Sequence, residues 1–117
     1  MTRLVSVSQQ FNVTANSIEV PGGIDLPAGR LKAVTLNGPA PFRGEGWTYI
    51  RSVDGNRVEC AGGPLRTGSG RQETVSWMGD QPTTLGDRVE IRVFNPRAVI
   101  ATVRLTARIE VPDDAAF

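Results

Sequence analysis

Residues 87–111 read DRVEIRVFNPRAVIATVRLTARIEV; from Val89 to Val111 nearly every odd position is apolar, and the even ones are mostly Arg, Glu or Thr. A period of two is what a β-strand with one buried face requires, because successive side chains leave the pleat on opposite sides. An α-helix would smear the same residues around its axis. Asn95-Pro96 interrupts the run with turn chemistry, since proline fixes its φ angle and has no N–H for a ladder. The pattern therefore predicts a terminal hairpin with Glu90 opposite Arg104, Arg92 opposite Thr102 and Val89 opposite Leu105. A one-residue slip would drive the Arg row inward, so the register is expected to be fixed. The second strand, from about Val99 to Val111, is unusually long.

The rest of the chain repeats this behaviour in shorter pieces. LVSVSQQFNVTANSIEV reads as one interrupted strand, or as two with a bend near Ala15-Asn16, and PGGIDLPAG as a turn-rich loop. RLKAVTLNG is a further strand, with Leu31, Ala33 and Thr35 expected on one face and Val34 and Leu36 on the other. GPAPFRGEG is too rich in Pro and Gly for a ladder. WTYIRSV-DGN-RVECAG is the clearest hairpin, because Asp54-Gly55 supplies the positive-φ residues of a tight turn. GGPLRTGSGRQ is a long connection, ETVSWMG a strand and DQPTTLGD a loop. No stretch shows the i, i+3, i+4, i+7 spacing of an amphipathic helix. Seven or eight strands separated by turn signals predict a single all-β domain over residues 1–117: an antiparallel sandwich of jelly-roll or Greek-key type. At 117 residues it can bury a core without metal or disulfide staples.

Composition narrows the chemistry. The chain has no histidine, which removes the commonest general base and metal ligand. Ser-His-Asp and Cys-His arrangements are excluded within it, and a Ser-Lys pair would have to use Lys32, the single lysine, in mid-strand. Glu45, Asp54, Glu59, Asp80 and Asp87 lie in or beside loops, but no spacing selects a catalytic pair or a calcium loop. A non-enzyme without cofactor or metal is the expectation. Cys60 is the only cysteine, so no intrachain disulfide can form, and it is expected to pack as a small hydrophobe. No apolar run approaches the roughly 20 residues of a membrane span, and MTRLVSVSQQ lacks a signal peptide's apolar core. Neither a membrane nor export is therefore expected. Thirteen basic and 12 acidic residues give a net charge of +1, against a nucleic-acid partner held through phosphates.

Trp47, Tyr49 and Trp77 could form a stacking platform for a sugar ring, the basis of an alternative reading as a carbohydrate-binding module. The competing reading makes Trp47 and Trp77 core residues that face each other across the sandwich, and the alternation around Trp47 favours it. Phe42, between Pro41 and Arg43, is the better candidate for an exposed anchor.

VEIRVFNPRAVIATVRLTARIEV resembles the closing strands of small jelly-roll and β-sandwich virion proteins of bacteriophages, where an I-x-V-x-N strand, a turn and a long alternating strand complete a sheet. The resemblance implies a structural protein of the virion (a capsid decoration, minor capsid or coat component), with the cytoplasm as the alternative location. It would act as a homo-oligomer, a trimer or pentamer, in contact with other virion proteins. The interface candidates are Phe42, Arg43 and Arg66 in connections, and Arg92, Arg104 and Arg108 on the polar strip.

Overall fold

The computed structural model describes residues 1–38, 43–54, 56–63 and 74–114, without the side chains of Arg43, Ser52, Ala61 and Val75. Eight strands make up nearly all of it: β1 (Thr2–Val13), β2 (Ser17–Asp25), β3 (Gly29–Asn37), β4 (Arg43–Val53), β5 (Asn56–Gly63), β6 (Thr74–Thr83), β7 (Arg88–Asn95) and β8 (Ala101–Pro112). They form two four-stranded antiparallel sheets, in the orders β1-β8-β3-β6 and β2-β7-β4-β5. That pair of orders is a jelly roll: two Greek keys folded over one core.

Of the links between successive strands, only β4–β5 stays within a sheet; every other one crosses the sandwich. The expected hairpin at Asp54 is present, with Val53 opposite Asn56 and Asp54 at φ 52°. The expected terminal hairpin is not. β7 pairs with β2 and β4, whereas β8 pairs with β1 and β3, so Glu90 faces Thr48 and Gly23, and Arg104 faces Gln10 and Asn37. The alternation of both strands holds, but they are not each other's partners. Two strands facing each other across a core bury the same set of odd residues as two strands side by side. Both β7 and β8 do bury their odd positions, from Val89 to Asn95 and from Ala101 to Val111.

The corner that redirects the chain is built on Asn95, which is fully buried. Its amide nitrogen donates to the carbonyls of Val13 (3.2 Å), Thr14 (3.2 Å) and Val99 (2.9 Å), and its oxygen accepts from the Arg97 N–H (3.0 Å). A hairpin would have satisfied those groups with a ladder; here one side chain does so. The β1–β2 corner lies alongside, with Asn16 at φ 52° and its N–H on the Arg97 carbonyl.

Three further readings are corrected by irregular pairing. PGGID is not loop but the second half of β2, reached through a bulge between Glu19 and Gly22. In β3, a register shift between Leu31 and Ala33 puts Leu31, Val34 and Leu36 together on the buried face, instead of splitting them. DQPTT continues β6 to Thr83. Cys60 is exposed on β5 rather than packed, because β5 is a sheet edge with exposed side chains along Asn56–Cys60. The core is mainly aliphatic, built from Val13, Ile24, Leu26, Leu31, Val34, Leu36, the odd residues of β7 from Val89 to Val93 and of β8 from Val103 to Val111, with Trp47 and Tyr49 of β4.

Candidate interaction surfaces

The three aromatic residues of the carbohydrate reading are turned inward, which corrects that assignment. Trp47 on β4 and Trp77 on β6 meet across the sandwich, ring centroids 4.8 Å apart and planes tilted by 52°. Trp47 is 6% exposed and Tyr49 fully buried, so neither offers a face for a sugar to stack on. Their placement follows from β4's alternation, which points residues 47 and 49 at Ile91 and Val89 of β7 on the inner side.

Tyr49 instead anchors one end of the sandwich. Its hydroxyl donates to the Asp87 carboxylate and lies 3.3 Å from the Pro82 carbonyl. Asp87 has no exposed surface, yet it also accepts from the Thr84 N–H (2.8 Å) and the Thr84 hydroxyl (2.9 Å), with Arg51 Nε at 3.8 Å. Burial alone would raise this carboxyl; the donors from Tyr49 and Thr84 and the charge of Arg51 outweigh it and hold Asp87 below the usual carboxylate range. The same burial, followed by the neighbouring Asp87, pushes the Tyr49 phenol up. Around this pair the β2–β3 and β6–β7 links are tied together by Leu26 N–H to Asp87 carbonyl (2.6 Å) and Thr83 hydroxyl to Pro27 carbonyl (2.7 Å). Sequence reading had Asp87 as a loop carboxylate; its place beside a buried tyrosine 38 positions away left no local signal.

The strip of Arg92, Arg104 and Arg108 does not exist as one surface. All three are exposed, but Arg92 lies on the outer side of β2-β7-β4-β5 and the other two on the outer side of β1-β8-β3-β6. Phe42 and Arg66 lie outside the described residues. Arg43 opens β4 opposite Phe94, and only its backbone is described.

Each outer face has its own character. On β1-β8-β3-β6, Ser8, Thr106, Thr35 and Ser76 fall in one row across four strands, with Ser8 and Thr106 hydroxyls 2.9 Å apart. The next row runs Gln10, Arg104, Asn37 and Thr74, with Thr74 donating to Asn37 at 2.6 Å. These two rows are polar and laced together by hydrogen bonds, while Leu4 and Met78 are exposed elsewhere on the same sheet. On β2-β7-β4-β5 a shallow groove of about 660 Å³ is bordered by Val20, Thr48, Glu45, Glu59, Glu90 and Arg92. Beside it, Glu90 pairs with Arg57 and with Arg88 (3.2 Å), which also reaches Asp25 (3.1 Å).

The least expected feature is apolar. Before the β2 bulge, odd residues face inward (Ser17 and Glu19 oppose Asn95 and Val93); after it, even ones do (Ile24 opposes Val89). The bulge therefore swings Ile18 and Val20 outward, to 51% and 55% exposure, while Ile24 and Leu26 stay in the core. Ile18 lies opposite half-buried Phe94 on that outer face. Close by, on the link held by Asn95, Val99 and Ile100 are 54% and 65% exposed. Ile18, Val99 and Ile100 thus emerge near the corner where the Asn16 N–H meets the Arg97 carbonyl, and Val20 further along β2 at the border of the groove. The signal was present in sequence as SIEVPGGI, where Pro and Gly inside an alternating run mark a bulge.

The described residues define a class of fold: a jelly roll of eight strands, with polar rows on one outer face, an acidic groove on the other and exposed aliphatic side chains near the Asn95 corner. No protein-family model and no curated protein matches the chain.

Proposed function

We propose that this is a non-enzymatic structural protein that works by self-association, as a component of a bacteriophage virion (capsid decoration, minor capsid or coat protein). The jelly roll is one of the architectures from which capsid domains are built, but it also carries lectins and enzymes, so fold alone decides little. The observation that carries the reading is the β2 bulge. A strand without it would keep Ile18 in phase with Ile24 and Leu26, on the inner face. Turning two branched side chains out forgoes roughly 1.5–3 kcal/mol of burial for each, and Val99 and Ile100 are exposed beside them. A bulge that re-aims side chains is a designed feature, and this one aims them at solvent, where a further protein surface would cover them. Contacts with further copies would bury this end, and its rigid Asn95 corner would limit the ordering entropy of association.

Light scattering on the purified chain tests this. A closed oligomer of defined mass is expected, a trimer or pentamer in the capsid setting, and the double variant Ile18→Ser/Val20→Ser should shift it toward monomer. A chain that stays monomeric at about 100 µM would sink the reading. Integer stoichiometry in purified phage particles would bear on the virion assignment itself.

A further inference from the structure

We propose that β1 is a second self-association element, pairing edge to edge with β1 of another copy about a twofold axis, so that two four-stranded sheets become one of eight strands. It rests on the reading that the chain self-associates, and it names a different surface for it.

A sheet edge presents unpaired N–H and C=O groups, and soluble proteins protect such edges with charges, prolines or bulges. Three of the four edges here are protected in this way. β2 carries Glu19, Pro21, Asp25 and a bulge. β5 carries Arg57 and Glu59, with a register shift between Thr48 and Ile50 of its neighbour. β6 carries Asp80 and Pro82, and its pairing to β3 is shifted at Leu31/Ala33. From Leu4 to its end β1 has none of these devices, its one charged residue being Arg3 near its start. Its register against β8 runs unbroken from Thr2↔Pro112 to Val13↔Ala101. No charged residue occurs from Leu4 to Ile18, and no proline or glycine either. Its other side pairs with no strand among the described residues.

The side chains suit a copy of the same strand. In an antiparallel pair, residues directly opposite share a face, so a twofold axis through a residue position sets odd opposite odd and even opposite even. The odd set includes Val5, Val7 and Phe11, which pack against the core but remain half-buried; a second β1 would cover them with the same residues. The even set includes Ser6, Ser8, Gln10 and Asn12, small or amide side chains that hydrogen-bond across a seam without repulsion. Ser8 and Asn12 are already held flat by Thr106 and Thr102 (2.9 and 3.1 Å). A strand paired with itself meets like charges wherever it carries one near the axis, and β1 carries none there. The pairing is isologous and closes, so it would not propagate into fibres.

The test is Ser6→Glu/Ser8→Glu. Within one chain the new carboxylates face Arg108 and Thr106 across β8, which favours folding. Across the seam they oppose one another whether residue 6, 7 or 8 lies on the axis. With β1 seams joining two of the trimeric or pentameric rings, light scattering should show the wild type at twice the ring mass and the variant at the ring mass, a twofold fall, with self-association across the seam weakened about tenfold or more. Amide hydrogen exchange on the wild type reads the same edge without a substitution: amides of residues 4–12 on both sides of β1 should be protected in the assembly. An oligomer of unchanged mass in a folded variant, or wild-type β1 amides that exchange as a free edge, would overturn edge pairing and leave association through Ile18 and Ile100 standing. A wild type that is monomeric at about 100 µM would overturn both.

Discussion

Replacing Tyr49 by phenylalanine removes one hydroxyl and leaves the packing of the ring untouched. The site makes that hydroxyl expensive to lose. Tyr49 and Asp87 are both fully buried, and the hydroxyl is one of three donors to a carboxylate with no access to water. A hydrogen bond to a charged group contributes roughly 1.5–3 kcal/mol net. Thr84 keeps both of its bonds in the variant, so about 2 kcal/mol is the expected loss at neutral pH rather than the larger cost of an unpaired buried charge. For a domain of this size that lowers the melting temperature by roughly 8 °C. The pH dependence has a definite sign. Asp87 titrates lower when folded than when unfolded, so its contribution is complete above the unfolded value, near 3.9, and is lost as pH falls through the folded value. Without the tyrosine donor the depression is smaller, so the gap between wild type and Tyr49→Phe should be full at pH 7 and shrink in acid. Tyr49 titrates higher when folded, so the wild type should also lose stability as pH rises above 10, and the phenylalanine variant should lack that component. Urea denaturation followed by the fluorescence of Trp47 and Trp77 measures this. A loss below about 0.5 kcal/mol at pH 7, or one that stays constant from pH 7 to the acid limit, would refute the argument.

Asn95→Asp replaces a donor aimed at three carbonyl oxygens with an acceptor and should cost more than Asn95→Ala, itself expected at about 3 kcal/mol by chemical denaturation. A Glu90→Ala/Arg104→Ala double-mutant cycle should show coupling within about 0.3 kcal/mol of zero, because the two lie on opposite faces, whereas a hairpin would make them neighbours. Cys60→Ser should change stability by less than about 0.5 kcal/mol, and native Cys60 should react with a thiol reagent as fast as in the denatured chain. Gly29→Ala should destabilise by about 1–3 kcal/mol, since a methyl there would run into the Glu110 carbonyl on the adjacent strand.

The candidate surfaces were less legible than the fold. The alternation rule found the strands because it is local, and the aromatic pair was assigned to the core for the same reason: Trp47 sits in phase with Tyr49 on an alternating strand. Where the register slips, the rule fails in a specific way. At Glu19/Gly22 and at Leu31/Ala33 the phase of burial inverts, so Ile18 and Val20 come out and Val34 and Leu36 go in. The Arg strip failed for a different reason, since it assumed that neighbours in sequence are neighbours in a sheet.

By itself the sequence determined the class of fold, a count of seven or eight strands and, for β7 and β8, which side chains face the core, because the two-residue period of the backbone dictates those. It also leaves residues 4–18, most of β1 among them, without a charged side chain. Only the tertiary structure decided which strands lie side by side, which edge is left open and which apolar residues are turned out. Pairing and crossing bury the same inward set, so local periodicity cannot tell them apart. The choice is made by long-range groups such as Asn95 and the Tyr49–Asp87 pair, whose partners lie up to 82 positions away.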